Sequence, residues 1–260
     1  MTGNELSPRA ITADLGTHFV GQRTIYYPRL TSTMDVARKA ARQGAADGTV
    51  IIADEQTAGK GRLKRVWLSP KGNIALSVIL YPGVSHLPYL VMLASLAVAR
   101  SIEAVTGLKT EIKWPNDVLI NRRKVCGILT ESDVRGNKVS YAIIGIGINT
   151  DLKTADFTNI PAETTSLAGE SGGSVLRVAV IRHLLVEIER LYLALPDETV
   201  YEEWRDRLVT LGKKVQVTSG NNILRGTAES VAKDGSLLLR HSDGSSTEII
   251  AGDVTLRYQK

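Results

Sequence analysis

A single cysteine, Cys126, in a chain of 260 residues excludes an intramolecular disulfide and any cysteine-cluster metal site. A reducing cytoplasm is the simplest compartment for it, so a cytoplasmic location is expected. Histidine is nearly as scarce: His18, His86, His183 and His241 all lie outside the motifs described below, so no Ser-His-Asp arrangement is available. Aromatic residues make up 5% of the chain against 43% hydrophobic overall, so aliphatic side chains must dominate the core. No run of eighteen apolar residues occurs, so no membrane-spanning segment is expected. The polar start, residues 1–5, lacks the apolar centre of a signal peptide. Net charge is modest at +5, which suits a polyanionic ligand or an acidic partner and is too small to argue for DNA.

Two segments carry the chemistry. The first, Gly59-Lys60-Gly61-Arg62-Leu63-Lys64-Arg65, follows the apolar run Val50-Ile51-Ile52-Ala53 and precedes Trp67. Such a loop cannot bury itself, because its cations need water or an anion. Glycine lets it fold over a ligand, and arginine offers forked hydrogen bonds to phosphate or carboxylate. The common phosphate loop, Gly-x-x-x-x-Gly-Lys-Ser/Thr, does not follow this run, so a nucleotide would be held differently. The second segment is Lys113-Trp114-Pro115-Asn116-Asp117 followed by Lys124-Val125-Cys126-Gly127-Ile128-Leu129. A lysine beside a carboxylate, an amide and a glycine suits a carboxylate attacking a phosphate. Read alone, this run is better taken as a tight hairpin with a solvated basic turn at Asn121, Arg122 and Arg123.

Periodicity predicts a short helical lead-in over 10–15 and a strand over 23–27. A helix follows from Met34 to Ala41, with hydroxyls at Thr31, Ser32 and Thr33 to cap it and Gly44 to end it. Strands are predicted over 49–56 and 73–81. In the latter, Ile74, Leu76, Val78 and Leu80 alternate as in a half-buried strand. A long apolar helix over 87–105, a strand over 111–114, a hairpin over 118–132 and a strand over 138–149 come next. Residues 150–173 read as loop, and helices follow over 174–195 and 199–208. After Gly212 only short strands and turns remain, five strands in under fifty residues, which predicts a small barrel. The fold class is therefore α+β, a mixed and largely antiparallel sheet with helices followed by an SH3-like barrel. The expected division is 1–22, 23–211 and 212–260.

Taken in order along the chain, these features resemble the biotin protein ligases (biotin–[acetyl-CoA-carboxylase] ligases). The landmarks are Thr31-Ser32-Thr33, Asp54-Glu55-Gln56-Thr57-Ala58-Gly59, the glycine–arginine loop, the Lys-Trp-Pro-Asn-Asp run, Lys124 with Gly127, and Gly145-Ile146-Gly147-Ile148-Asn149. The resemblance implies a class II synthetase-like catalytic domain that uses ATP and Mg²⁺ to turn biotin into biotinyl-5′-AMP. A lysine of a biotin carboxyl carrier protein domain then takes the biotin. It implies Lys124 as the cation between the biotin carboxylate and the α-phosphate. Arg62 and Arg65 would serve as loop arginines near carbonyl and phosphates, Lys60 and Gly61 as loop contacts to biotin, and Trp67 as a stacking surface for adenine. Lys113 is a poorer candidate, because alternation from Trp114 turns it away. Ser32, Thr33 and Gln56 suit the ureido ring, which both donates and accepts, although the two hydroxyls equally suit helix capping. Gly127 and Gly145 would line the biotin slot. Asn116, Asn149 and Arg257 would sit near the nucleotide. Asp117 would hold Mg²⁺, orient the acceptor lysine, or simply form an Asx turn.

Three positions depart from the family pattern: Met34 where asparagine is usual, Lys60 where arginine is common, and Lys64 where glycine is frequent. Repressor members carry an added helix-turn-helix domain, which the twenty or so residues before the first strand cannot hold. No sequence-specific DNA binding is therefore expected, and a homodimer is left open. The rival readings are a lipoate–protein ligase or octanoyltransferase, a nucleic-acid-binding regulator, and a peptide-binding barrel. The last is disfavoured because Tyr258 is the only aromatic residue after Trp204.

Overall fold

The computed structural model describes residues 6–157, 160–219, 222–250 and 252–256. Its seven-stranded sheet has the order β1-β2-β3-β7-β6-β5-β4. The strands are β1 (Thr24–Tyr27), β2 (Val50–Ala53), β3 (Ile74–Leu80), β4 (Glu111–Lys113), β5 (Asp117–Ile120), β6 (Arg123–Arg135) and β7 (Lys138–Ile148). Only β1 and β2 run parallel, so the sheet is mixed and largely antiparallel, as expected. Helix α1 (Pro8–Thr12) leads in. Helix α2 (Thr33–Arg42) covers one face, and α3 (Tyr89–Thr106), α5 (Arg177–Leu193) and α6 (Glu198–Asp206) cover the other, with a short α4 (Leu167–Ser171) ahead of α5.

Strand β3 differs from its reading. All seven of its residues are buried, not one face of them. Leu76, Val78 and Leu80 join the main core, while Ile79 packs under α2 with Met34, Ala37 and Ile143. The sheet carries helices on both faces, so the polar alternation that marks a solvated face has no role here. Helix α3 is apolar enough to cross a membrane by length and composition, with a mean hydropathy of 1.4 over 18 residues, and 61% of it is buried in this fold. It is the core helix against which α5 and α6 pack. Gly107 ends it in the left-handed region at φ 71°.

The second sheet has the order β11-β10-β9-β8-β12 and is antiparallel throughout. Its strands are β8 (Lys214–Ser219), β9 (Asn222–Val231), β10 (Leu237–Arg240), β11 (Ser246–Ile249) and β12 (Asp253–Leu256). It is not a separate bead. Val215, Val217, Leu237 and Leu239 belong to the same core cluster as α3 and the large sheet. The Trp114 indole donates to the Gly235 carbonyl at 2.8 Å, and the Tyr201 hydroxyl to that of Val231 at 2.6 Å. Residues 220–221, between β8 and β9, lie outside the described residues.

The lead-in is tied down by one carboxylate. Glu189 of α5 is buried and accepts the backbone N–H groups of His18, Phe19 and Val20 at 2.6, 2.9 and 2.9 Å. Burial pushes its pKa up, but these bonds outweigh it and hold the group below the ordinary glutamate value. A carboxylate depressed in the folded state stabilises the fold above its unfolded pKa and loses that contribution as pH falls through its folded one. Glu189→Gln is therefore expected to lower stability near neutral pH by about 1–3 kcal/mol. The gap from wild type should close in acid, and thermal melts at pH 7 and at stepwise lower pH would check this. An unchanged gap down to the acid limit would refute the clamp.

Candidate active site

The pocket lies on the α2 side of the large sheet, where the apolar cover stops. Along β7 this face presents Tyr141 and Ile143 beneath α2, then Gly145 and Gly147. A side chain at Gly145 would meet the Met34 thioether, and one at Gly147 would run into the Trp67 ring. The glycines thus let Met34 and Trp67 lie against the sheet, and a cavity of about 240 Å³ opens between the sheet, α2 and the loop 59–67.

Local irregularity aims the lysine. The β5–β6 turn is Asn121-Arg122 alone, with φ of 51° and 63°, the left-handed pair that a two-residue hairpin needs. Lys124 is therefore in strand β6 and not in the turn. The pairing slips from Leu119↔Lys124 to Val118↔Cys126, which inserts one extra residue in β6. Strict alternation from Gly127 would send Lys124 into the core. The bulge buries Val125 and Cys126 together and returns Lys124 to the pocket face. Its Nζ then meets Asp117 Oδ1 at 2.6 Å and sits 5.3 Å from the centre of the Trp67 ring.

The loop 59–67 is more ordered than its composition suggests. Lys60 and Val66 form a ladder bridge, Gly61 N–H donates to Arg65 O at 2.8 Å, and Trp67 N–H donates to Gly59 O at 2.8 Å. Lys60 Nζ pairs with Asp35 of α2 at 2.5 Å. Arg62 Nη1 donates to Asn116 Oδ1 at 3.0 Å, while Asn116 Nδ2 donates to the Ile128 carbonyl at 2.6 Å. Burial pushes the Arg62 guanidinium down from its ordinary value, with Asp117 pulling the other way. Arg65 pairs with Asp253 of β12.

At the other end of the pocket a polar chain is fixed in direction. The Ser77 hydroxyl donates to Thr33 Oγ1 at 2.8 Å. Thr33 donates its N–H and its hydroxyl to Gln56 Oε1 at 2.8 and 3.1 Å. The carbonyl end of Gln56 is thereby occupied and its amide N–H₂ end remains for a ligand. Ser32 stands at the N-cap of α2 but its side chain makes no capping bond. Its Oγ is buried with no hydrogen-bond partner among the described residues.

Fourteen of the predicted site residues border this one cavity: Thr33, Met34, Gln56, Lys60, Gly61, Arg62, Arg65, Trp67, Asn116, Asp117, Lys124, Gly127, Gly145 and Asn149. Ser32 lies beside them without lining it, and Arg257 lies outside the described residues. Asn149 is buried and its amide nitrogen is spent on the Thr165 carbonyl at 3.1 Å. Gly127 borders the cavity, but the space a side chain would take there is filled by the Trp67 ring and the Lys124 side chain. Lys113 does not border the cavity, in keeping with its standing as the poorer candidate. It pairs opposite Asp117 while Trp114 turns to the core. Burial pushes the Lys113 ammonium down from its ordinary value, with Asp117 opposing. Sequence reasoning missed Asp253 and the cap formed by Leu152, Ile160, Pro161 and Thr164, and named Gly147 only as part of a family landmark.

The donor set does not fit a magnesium ion held by the protein. Asp117 is paired with Lys124 and Asp253 with Arg65. Among the described residues no three His, Cys, Asp or Glu side chains converge on a metal position. The expectation of Mg²⁺ on Asp117 therefore finds no support, and no step below runs through a metal.

A family model described as the biotin/lipoate A/B protein ligase family matches residues 26–149. One described as the biotin protein ligase C terminal domain matches residues 210–257. The bifunctional ligase/repressor BirA of Bacillus spizizenii is 38% identical over 259 residues, covering 97% of this chain and 79% of that protein. The biotin–[acetyl-CoA-carboxylase] ligase of Paracoccus denitrificans is 32% identical, covering 83% of this chain and 93% of its own. Among solved structures, the biotin protein ligase of Aquifex aeolicus in complex with biotin and ATP aligns with a TM-score of 0.75 at 27% identity, over 92% of this chain and 100% of that one.

Proposed function

The chain belongs to the biotin protein ligase family, and we propose that it makes biotinyl-5′-AMP from biotin and ATP and passes the biotinyl group to a lysine of a biotin carboxyl carrier protein domain. One observation carries this reading. A single pocket joins a cationic end, Lys124 with Arg62 and Arg65, to a directional polar end, Thr33 and Gln56 with Ser77 behind them. That is a fit for an acid with a polar head, an apolar middle and a carboxylate tail.

In the first step a carboxylate oxygen attacks the α-phosphorus, a phosphorus–oxygen bond to the β-phosphate breaks, and pyrophosphate leaves. Both reactants are anionic, so the protein's task is to neutralise and align them. Lys124 serves here as the fixed cation between carboxylate and α-phosphate, and Asp117 holds its ammonium in place. Arg62, itself held by Asn116, adds a second cation with forked geometry. Gln56 offers its amide N–H₂ to the ureido group. Gly145 and Met34 shape the slot for the apolar middle, and Trp67 supplies a flat face for the nucleotide base. In the second step the carrier lysine amine attacks the acyl carbon and AMP leaves. Loop 59–67 over the pocket limits water's access to the mixed anhydride meanwhile.

The test is incubation of the purified protein with biotin and α-labelled ATP, read by mass spectrometry. Biotinyl-AMP is expected first, then a mass gain on an added carrier domain. No biotin-dependent adenylate would sink the proposal, and equal use of lipoate or octanoate would move it to the sister activities.

A further inference from the structure

Glu170, in the short helix α4, sends a carboxylate into the fold with its side chain only 3% exposed. A charge so placed is costly unless it is paired and hydrogen-bonded. This one has three donors, drawn from two separate segments. Its Oε1 takes Arg123 Nη2 and the Thr165 hydroxyl, both at 2.6 Å, and its Oε2 takes Asn121 Nδ2 at 2.7 Å. Asn121 opens the β5–β6 turn, and Arg123 follows that turn immediately before Lys124. Thr165 belongs to the segment that grips Lys124 by its backbone. The Lys124 N–H donates to Glu163 O at 2.6 Å, its carbonyl accepts the Thr165 N–H at 2.9 Å, and Thr164 lies beside it as in a parallel ladder.

Glu170 does not border the pocket, whereas Lys124 and Thr164 do. The aim of Lys124 nevertheless depends on it. The pairing of β5 with β6 slips between Leu119↔Lys124 and Val118↔Cys126, so the extra residue in β6 sits directly after Lys124. A bulge has no side-chain period of its own to hold its position. If it moved by one residue along β6, the lysine would turn to the opposite face of the sheet. Beyond the slip, β6 is held by the Asn149 N–H on the Val125 carbonyl at 2.8 Å. Before the slip, Asn121 and Arg123 are both held by Glu170. The same carboxylate fixes Thr165 against the Lys124 backbone, so one group sets the turn and the clamp relative to each other.

Resting on the ligase reading above, we propose that Glu170 is a positioning residue for Lys124, holding the slip in β6 where it keeps the ammonium between the carboxylate and the α-phosphate. Glu170 touches no substrate and no reacting atom in this scheme. It acts through the β5–β6 turn and through Thr165. Its loss should leave the polar end of the pocket intact and loosen the cationic end at Lys124.

The experiment is adenylation by the full chain with α-labelled ATP, measured in a double-mutant cycle with Lys124→Ala. Glu170→Ala should lower kcat about tenfold, the scale of a small displacement of a catalytic group. KM for biotin and for ATP should each move less than about twofold, because the Thr33–Gln56 contacts and the Trp67 ring are untouched. In the Lys124→Ala background the same change should cost less than about twofold, since the group it positions is gone. Glu170→Gln keeps an acceptor for Arg123 and Thr165 and should recover part of the loss. Asn121→Gly suits the φ of 51° at that position and removes one of the three donors. It should lower kcat about threefold in a folded chain, the worth of one hydrogen bond, so the test survives a Glu170→Ala chain that fails to fold. A role in stability alone would cost the same factor with or without Lys124. Full additivity in the cycle, or wild-type kcat in a folded Glu170→Ala or Asn121→Gly enzyme, overturns the proposal while the ligase reading stands. A wild-type enzyme that makes no adenylate overturns both.

Discussion

Replacing Lys124 by alanine is expected to slow adenylate formation by at least about 100-fold, or roughly 3 kcal/mol, the typical cost of removing one preorganised charge-stabilising group. The effect should exceed that of a lost contact, because Asp117 would then face the incoming phosphates without its partner at 2.6 Å. Two anions would meet a third. The fold should survive. The Lys124 side chain is 31% exposed, and the strand around it is held by its backbone, whose N–H donates to Glu163 O and whose carbonyl accepts from Thr165 N–H. Lys124→Ala should therefore melt within a few degrees of wild type. Lys124→Arg should retain part of the activity, since the charge persists but the point geometry does not. Near-normal adenylation by a folded Lys124→Ala enzyme would remove this residue from the mechanism.

The second large effect is expected from Gly147→Val. Gly147 sits in the central strand, opposite Ala75 of β3 on one side and Gly127 of β6 on the other, so its backbone cannot retreat. A Cβ there collides with the Trp67 indole, and the valine methyls add to the clash. The ring must leave its bed on Gly127 and Gly147, and the end of loop 59–67 must go with it. Overpacking of this kind costs about 1–3 kcal/mol, and here it should appear mainly as lost ligand affinity because the ring lies in the pocket wall. Fluorescence can isolate the event. Trp114 and Trp204 are fully buried, so Trp67 is the tryptophan whose emission should shift to the red and stop responding to biotin with ATP. The double variant Gly147→Val, Trp67→Ala should lose little more than Trp67→Ala alone. Full additivity would mean that the glycine matters for some other reason.

Much of this site was legible because its residues sit in two short runs. The basic loop and the Lys113–Asp117 run each bring several charged groups within a few positions, and charge clustered beside glycine is readable without a fold. Periodicity likewise located α2, α3, α5 and the strands of both sheets. What escaped depends on contacts between distant segments. Asp253 is one aspartate at a strand end, unremarkable until the small sheet docks and brings it to Arg65, 188 positions away. The aim of Lys124 depends on one extra residue in β6, which no hydrophobic pattern announces. The double-sided burial of β3 was hidden because Ala75 and Ser77 are small and read as polar positions. The segment 150–166 has no period to read, yet it supplies Leu152 and Thr164 to the pocket.

The central position of β7 sets a timetable for synthesis. Strand β3 ends at Leu80 and its partner begins at Lys138, 58 positions later. At about 5–20 residues per second, a ribosome leaves that edge unpaired for roughly 3–12 seconds. During that interval β1, β2 and β3 form a half-sheet whose open margin is the seven-residue run Ile74–Leu80, apolar except for Ser77. Such an edge is a template for pairing with a neighbouring nascent chain. Chaperone capture and misassembly are accordingly expected to concentrate on ribosomes that have passed Leu80 but have not yet released β7. Pauses in translation across 81–137 should then depress soluble yield more than pauses elsewhere, even though the finished protein conceals every atom of that strand.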